Sequence, residues 1–249
     1  MSMAAASVFY AVAPTSTTAS SQPAIVVDLV NQPRPVALAV RQVEKQLGYV
    51  ITYEDTAYRF PGDIVDVSKQ MPGRDPAKGP WFSMRGGTLQ FRYSPRASTL
   101  AGQVEEVLQE IVARSRRANN IGDFSVQSTV NGYHVVPVQA KNRNGIEEPY
   151  ESPLESRITM ESRDESAAEM FGRFLEVVSS ASGQRVEEGL MPGRLHTIRA
   201  TVDAQNDRAR DVLWRALQSI NPGLSWQMLC GPKVNCALNL HAITLAKDR

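Results

Sequence analysis

The sequence has few of the residues that usually carry metal or redox chemistry. Its 249 residues include only two cysteines and three histidines, His134, His196 and His241. The cysteine spacing, C-x5-C, is neither that of a zinc knuckle nor the C-x-x-C of a redox site. A chain of this length buries roughly 70–75% of the surface that it exposes when unfolded, so it needs no metal or disulfide framework to fold. We therefore expect no metal site and no cofactor.

The sequence also lacks an excess of charge of either sign. Lys and Arg number 27 and Asp and Glu 26, whereas a nucleic-acid-binding domain is usually strongly basic. The densest basic cluster is Arg114, Arg116 and Arg117. Cations in the last turn of a helix complement the helix dipole, and we predict that role for these three. The balance of charge argues against a nucleic-acid partner.

No catalytic motif is present. The sequence contains no H-E-x-x-H, no G-x-S-x-G and no Walker loop. Adjacent acidic residues occur at Glu54-Asp55, Glu105-Glu106, Glu147-Glu148 and Glu187-Glu188. General acid–base catalysis needs two carboxylates in unlike environments across a cleft, and neighbouring charges are ordinarily solvated. We predict that the protein is not an enzyme and has no catalytic residues.

The first 23 residues differ in character from the rest. An apolar run from Ala4 to Ala13 is followed by a Ser/Thr-rich segment. The run is too short to span a bilayer, which takes about 20 residues, but it suits the apolar core of a secretory signal peptide. No Lys or Arg precedes Arg34, so a disordered tail is the alternative. Export predicts a periplasmic or secreted protein, and a tail would suit a cytosolic scaffold.

The two cysteines bear on the same choice. Cys230 and Cys236 flank a short turn between two predicted strands, which brings facing residues within disulfide reach. A disulfide would agree with an oxidising compartment. Two buried free thiols on a core strand are the alternative.

Four helices are predicted from apolar stripes at helical spacing. The first runs from Pro35 to Leu47, with proline at its first position and Gly48 beyond its end, as is typical of helices. The others run from Leu100 to Arg117, from Asp164 as N-cap to Gly183, and from Asn206 to Asn221. Alternating segments predict strands between them, including one over Leu195–Val202, a hairpin turning at Asn131-Gly132 and a closing hairpin over Leu224–Ile243.

This order of elements predicts an α+β fold of two similar tandem units. Each unit reads strand, helix, strand, strand, helix and hairpin, which predicts two helices on a small, mainly antiparallel sheet and suggests duplication. The expected boundaries are residues 24–140 for the first unit, 141–152 for a polar linker and 153–249 for the second. The first unit contains a Gly/Pro-rich loop over 54–87, which at this length is either functional or disordered.

That loop holds an unusual concentration of aromatic residues. Tyr58, Phe60, Trp81 and Phe82 lie in it, and Arg85 follows closely. Exposed aromatic residues beside arginine suit recognition of a peptide or a glycan. Alternatively, the aromatic side chains tuck beneath the loop and fix it to the domain. These five residues are the predicted binding loop.

The C-terminal half has a distinctive series of apolar positions, which fall in Ile158–Met160, Ala168–Val178, Ile198–Val202, Ala209–Leu217, Leu224–Gln227 and Ala237–Leu240. In these positions it resembles the short N-terminal (STN) domain shared by secretins and TonB-dependent receptors. The chain as a whole also looks like exported bacterial proteins of unassigned function. The resemblance implies a periplasmic location, two helices packed on small sheets, and contacts with other proteins.

We therefore expect a non-catalytic protein-interaction module of the bacterial cell envelope, whose partner and oligomeric state the sequence leaves open. The alternative is a secreted glycan-binding protein or hydrolase with a site between the two units.

Overall fold

The computed structural model describes residues 24–70, 79–232 and 235–246. The predicted signal peptide or tail, residues 1–23, lies outside the described residues. Within these residues the protein is a mixed α and β structure with four α-helices and several sheets, in agreement with the predicted α+β class. None of the described helices is long and apolar enough to cross a membrane.

The described residues of the N-terminal half, 24–70 and 79–152, contain two helices and eight strands. Its elements are β1 (Ile25–Gln32), α1 (Pro35–Leu47), β2 (Val50–Glu54), β3 (Ile64–Asp66), β4 (Phe82–Met84), β5 (Gly87–Tyr93), α2 (Leu100–Arg117), β6 (Asp123–Thr129), β7 (Gly132–Lys141) and β8 (Glu147–Pro149). The arginine cluster lies in the last turn of α2, as predicted. The stretch 141–152, expected to be a linker, includes β8, which pairs with the end of β7.

The C-terminal half, residues 153–246, contains the other two helices. Its elements are β9 (Arg157–Met160), β10 (Glu165–Ser166), α3 (Ala167–Ser182), β11 (Val186–Glu188), β12 (Arg199–Ala200), β13 (Ala204–Arg208), α4 (Ala209–Ile220), β14 (Leu224–Cys230) and β15 (Cys236–Ala242).

The helix boundaries follow local capping chemistry. Gly48 and Gly183 end α1 and α3 in the left-handed conformation, with φ of 60° and 66°, which glycine adopts without steric cost. The N-cap of α3 is Ser166, not Asp164 as predicted, because Ser166 and Glu169 form a reciprocal capping box that satisfies two free amides.

Two other boundaries differ from prediction. Helix α4 begins at Ala209, after β13, rather than directly after Asn206. The predicted strand over Leu195–Val202 is mostly a 3-10 turn at Gly193–His196, followed by the short β12. The strand that precedes α4 is instead β13, which pairs with β9. The polar sequence of β13, Ala204-Gln-Asn-Asp-Arg208, has no apolar alternation from which a strand could be predicted.

The same three strand pairings occur in both halves. The first strand pairs antiparallel with the strand before the second helix, as β1 with β5 and β9 with β13. The strand after the first helix pairs parallel with the last hairpin strand, as β2 with β7 and β11 with β15. The last two strands form antiparallel hairpins, β6 with β7 and β14 with β15.

The two halves share one sheet. Among the described residues its strand order is β11-β15-β14-β2-β7-β6, with β8 beside β7 as the seventh strand. Strands β14 and β2 join the halves in parallel, with Gln227 opposite Tyr53 and Met228 opposite Glu54. The sequence predicted a separate small sheet for each half, but the edge strand of one half supplies the hydrogen-bonding partner for the edge strand of the other.

The helices of the two halves cover opposite faces of this sheet. Ile51 and Tyr53 pack with α1 and α2, whereas Val50 packs with α3 and α4, and adjacent residues of a strand point to opposite faces. The β1–β5 ribbon contributes Ile25 and Leu89 to the first core, and the β9–β13 ribbon contributes Ile158 and Ala204 to the second. Each helix pair is therefore enclosed between the central sheet and a two-stranded ribbon.

Candidate functional site

The predicted binding loop forms a small hairpin. Strands β3 and β4 pair antiparallel, with Val65 opposite Ser83 and Asp66 opposite Phe82. The amide of Val67 donates to the carbonyl of Trp81 at 2.8 Å, which extends the pairing. Val65, Trp81 and Phe82 keep 38%, 49% and 43% of their surface exposed. Three large apolar side chains therefore reach solvent from one hairpin.

The five predicted binding residues divide between the two alternatives. Trp81 and Phe82 are exposed, and the side chain of Arg85 is 49% exposed. Phe60 is half-buried, with the ammonium of Lys141 5.8 Å from its ring centroid. Tyr58 is buried and its hydroxyl donates to Asp55 at 2.8 Å. The structure thus leaves Trp81, Phe82 and Arg85 exposed, with Phe82 on the opposite face of the strand from the other two, while Tyr58 anchors the segment.

Arg85 lies where the hairpin meets a cavity of about 340 Å³. The cavity is lined by residues from α1, β5 and the turn after α2, among them Arg34, Tyr58, Arg85, Gly87 and Asn120. The side chain of Asn120 accepts from the amide of Thr88 and donates to its carbonyl, which fixes one wall. An exposed guanidinium therefore stands at the junction of an apolar hairpin and a polar recess.

A buried carboxylate binds three of the side chains that line this cavity, Arg34, Tyr53 and Tyr58. Asp55 is fully buried. Its Oδ1 accepts from the hydroxyls of Tyr53 and Tyr58 at 2.9 and 2.8 Å, and its Oδ2 accepts from Arg34 at 2.7 Å and from the amide of Cys230 at 3.2 Å. Burial and the charge of Asp55 raise the pKa of both tyrosines well above the ordinary value. Both hydroxyls therefore remain protonated donors.

Arg85 has an acidic neighbour of its own. Its backbone amide donates to the carbonyl of Asp63 at 2.7 Å, and its guanidinium lies 3.5 Å from the carboxylate of the same residue. Burial raises the pKa of Asp63, and the charges of Lys141 and Arg85 oppose that rise. Because Arg85 is half exposed and its ion pair is long, the guanidinium remains accessible for a further anionic contact.

A second buried ionic cluster lies at the joint between the halves. The guanidinium of Arg210, on α4, binds both oxygens of Glu54 at 2.5 and 2.7 Å, and its third nitrogen binds Glu155. The side chains of Arg210 and Glu54 have no exposed surface. Burial alone would lower the pKa of Arg210, but the two carboxylates raise it above its ordinary value.

Sequence reasoning misread Glu54-Asp55, which was expected to be a solvated acidic pair. Each carboxylate is instead buried in its own cluster of donors. The available signal was their position at the end of the apolar strand sequence Val50-Ile-Thr-Tyr, because a carboxylate that continues a buried strand requires partners. Their cationic partners, Arg34 and Arg210, lie 21 and 156 residues away in sequence, and nothing in the sequence identified them.

His134 lies beside the same joint. Its Nδ1 is 2.6 Å from the hydroxyl of Thr52, and its ring contacts Trp214 and Trp226 at centroid distances of 5.2 and 5.3 Å. Burial, reinforced by the charge of Arg210, lowers the pKa of His134 to about 3. The imidazole is therefore neutral across the ordinary pH range and serves as packing.

This shift predicts a loss of stability in acid. Between pH 6.5 and pH 3 the unfolded state, in which the histidine pKa is about 6.5, binds a proton that the folded state does not bind. The free energy of unfolding therefore falls as the pH falls through that window. Between pH 7 and pH 5 we expect a loss of about 2 kcal/mol that is absent from His134→Gln. Urea titrations at both values measure it, with His196→Gln, an exposed position, as the control. Equal pH dependence in wild type and His134→Gln would contradict it.

The two cysteines and His241 have partners within the fold. Cys230 and Cys236 pair as a disulfide at the turn end of the β14–β15 hairpin. His241 lies 2.7 Å from the carboxylate of Glu44. In the part of the chain that the structure describes, no group of three or more His, Cys, Asp or Glu side chains is arranged to hold a metal ion.

Comparison with known proteins yields no relative. No family model matches the chain, and neither a curated protein nor a solved structure has a significant match to it. The resemblance of the C-terminal half to the STN domain therefore stays a prediction, and function must be argued from the site itself.

Proposed function

We propose that the protein is a non-catalytic interaction module that binds another protein through the hairpin carrying Val65, Trp81 and Phe82, with Arg85 as the polar contact. The observation that carries the proposal is the exposure of these apolar side chains beside an accessible guanidinium. Tryptophan and arginine are enriched among the residues that dominate binding energy at protein interfaces. The buried Asp55 cluster contacts the base of the hairpin through Arg34, whose Nη2 donates to the Sδ of Met84 at 3.5 Å, and a held hairpin lowers the entropic cost of binding.

The partner we expect is a protein of the bacterial cell envelope. This expectation follows from the predicted signal peptide, from the resemblance to the STN domain, and from the disulfide, which suits an oxidising compartment. We also propose that the chain consists of two copies of one structural unit, which the three repeated strand pairings support. We rank a glycan-binding or hydrolytic site between the halves lower, because the carboxylates of Glu54 and Glu155 already bind Arg210 and that of Asp55 already binds Arg34.

Export is tested by expressing the full chain in a Gram-negative host and weighing the intact product of each cell fraction. We expect a periplasmic protein that lacks about 13–23 N-terminal residues and is about 2 Da lighter than the reduced chain because of the disulfide. An uncleaved, reduced cytosolic product would contradict the envelope assignment and would direct the search to cytosolic partners.

The binding surface is tested by replacing Phe82 with a photo-crosslinking phenylalanine analogue in living cells. We expect a discrete adduct with an envelope protein from this position. The control position is Val130, which is 88% exposed in the turn between β6 and β7. The same adducts from both positions, or none from Phe82, would contradict the assignment of the hairpin.

The double variant Trp81→Ala/Phe82→Ala separates binding from folding. Because both side chains are exposed, the free energy of unfolding should change by less than about 1 kcal/mol, whereas affinity for the crosslinked partner should fall by at least about tenfold. Denaturant titration and a binding titration with the purified partner measure the two effects. A large loss of stability with unchanged affinity would mean that the aromatic residues only fix the hairpin to the domain.

A further inference from the structure

The joint between the two halves uses one of the two edge strands of each half. Strand β14, the last edge of the C-terminal half, pairs with β2, the first edge of the N-terminal half. Strand β6 has the same place in its half as β14, and β11 has the same place as β2. Both β6 and β11 stand at the ends of the strand order, with no outer partner among the described strands. Each molecule therefore has two outer edge strands, β6 and β11, in the positions that correspond to the two strands of its internal joint.

We propose that β6 of one molecule pairs in parallel with β11 of a second copy of this chain, which repeats the β14–β2 joint between molecules. Strand β6 is antiparallel to β7, which is parallel to β2, whereas β11 is parallel to β15, which is antiparallel to β14. Since β14 is parallel to β2, β6 and β11 run in the same direction. Translation of one molecule along the sheet, with the rotation that the sheet twist adds, thus aligns them in the direction that the internal joint requires.

The geometry of the joint makes this association open-ended. Across the internal joint the second half is turned over relative to the first, with its strand directions reversed and its helices on the other face. A second rotation of the same kind, at the contact between molecules, gives the next molecule the same orientation as the first. Two different surfaces, one from each partner, then meet at every contact, and such heterologous contacts generate open chains unless a rotation closes them.

The register of the pairing follows from the helix-facing residues. Tyr53 faces its own helices opposite Val135, and Glu188 is the residue in the corresponding position, opposite Leu238. On the strands that lie on the other side of the joint, Ser125 of β6 corresponds to Gln227 of β14, because each directly precedes a residue that faces the helices of its own half. Because Gln227 lies opposite Tyr53 at the internal joint, Ser125 should lie opposite Glu188 of the second molecule.

The peptide groups of β11 are oriented for this contact. The carbonyl of Arg185 accepts from Cys236, and the amide of Gly189 donates to Leu238, so both point toward β15. Peptide groups alternate in direction along a strand, and those of Val186 and Glu188 therefore point away from β15. The amide and carbonyl of Val186 both bond the hydroxyl of Ser179 on α3, so Glu188 is the residue that offers its peptide groups to a second molecule. Tyr53, at the corresponding position of β2, likewise belongs to a joint of two residue pairs.

Charge disfavours the symmetrical pairing of two β11 edges. The edge of β11 carries Glu187, which pairs with Arg185, and Glu188, so two β11 edges would place the Glu188 carboxylates close to each other, which is unfavourable. The β6 edge offers the neutral Ser125, Gln127 and Thr129, and its one acidic residue, Asp123, is neutralised by Arg116 at 2.7 Å. Charged edges oppose indiscriminate pairing, and here the charge lies on one edge only.

Cysteine crosslinking tests the register. Ser125→Cys and Glu188→Cys are made separately, each retaining the Cys230–Cys236 disulfide, and oxidised alone and mixed. We expect a disulfide dimer only from the mixture, and a ladder of dimers, trimers and larger species from the double variant. Val130→Cys mixed with Glu188→Cys is the matched control, because Val130 is 88% exposed but lies in the turn beyond β6. Dimers from a single variant, or a mixture that yields no more dimer than wild type and the Val130→Cys control, would overturn the proposal.

Charge substitution tests it without new thiols. Ser125→Glu should weaken self-association by at least about tenfold because it faces Glu188, Ser125→Lys should strengthen it, and adding Glu188→Lys to Ser125→Glu should restore it. Sedimentation equilibrium of the full chain over a concentration series measures these constants. Equal association for the Glu and Lys variants would overturn the proposal. Trp81→Ala/Phe82→Ala should leave the association unchanged, which keeps this test separate from that of the hairpin.

Discussion

Replacing Arg210 with methionine is expected to reduce the free energy of unfolding by about 3–5 kcal/mol, the usual cost of removing one partner of a buried ion pair. Arg210 has no exposed side-chain surface and holds Glu54, which is equally buried, with two hydrogen bonds of 2.5 and 2.7 Å. Methionine fills part of the space but leaves the Glu54 carboxylate in the interior without its counter-charge. Because Glu54 is on β2 and Arg210 on α4, the loss falls on the joint between the halves.

Two further variants decide whether the effect is due to the uncompensated charge. Arg215→Met removes an arginine from the same helix, but this side chain is 52% exposed and pairs with Asp207, so its loss should cost less than about 1 kcal/mol. The double variant Arg210→Met/Glu54→Leu removes both buried charges, and should recover much of the stability because apolar replacement of a whole ion pair is often neutral. Urea titrations measure all three. A cost for Arg210→Met no greater than that for Arg215→Met would refute the argument.

The elements that the sequence predicts well are those decided by neighbouring residues. Helix α1 matches its predicted bounds because Pro35, an apolar stripe and Gly48 are all local signals. The β6–β7 hairpin turns where predicted, beside Asn131-Gly132. Boundary errors occur where two local signals compete, as at α3, where Ser166 rather than Asp164 is the cap.

The shared sheet could not be predicted in this way. Gln227 and Tyr53 are opposite each other at the joint but lie far apart in sequence. Parallel pairing leaves no turn signal between its strands, and both strands read as half-buried in their own unit. The same separation hid the roles of Glu54 and Asp55, since a carboxylate's environment depends on which distant guanidinium reaches it. In the binding loop, composition indicated the segment, but only the fold distinguishes the exposed Trp81 from the buried Tyr58.

Replacing Asp55 with leucine is expected to cost at least about 3 kcal/mol, because several buried donors lose their acceptor at once and each costs about 1–3 kcal/mol when left unpaired. The donors are the hydroxyls of Tyr53 and Tyr58, the guanidinium of Arg34 and the amide of Cys230. Arg34 is partly accessible to water and can be rehydrated. The two hydroxyls and the amide are buried and cannot.

The tyrosines provide the comparison that separates this cluster from simple packing. Tyr53→Phe and Tyr58→Phe each remove one donor and leave Asp55 with its other partners, so each should cost about 1 kcal/mol. In Asp55→Leu both hydroxyls lose their acceptor together, and the cost should exceed the sum of the two phenylalanine variants. Adding both phenylalanines to Asp55→Leu should then restore part of the stability, because no orphaned hydroxyl remains. If Asp55→Leu is no less stable than Tyr58→Phe, or the added phenylalanines lower stability further, the cluster does not hold the base of the hairpin.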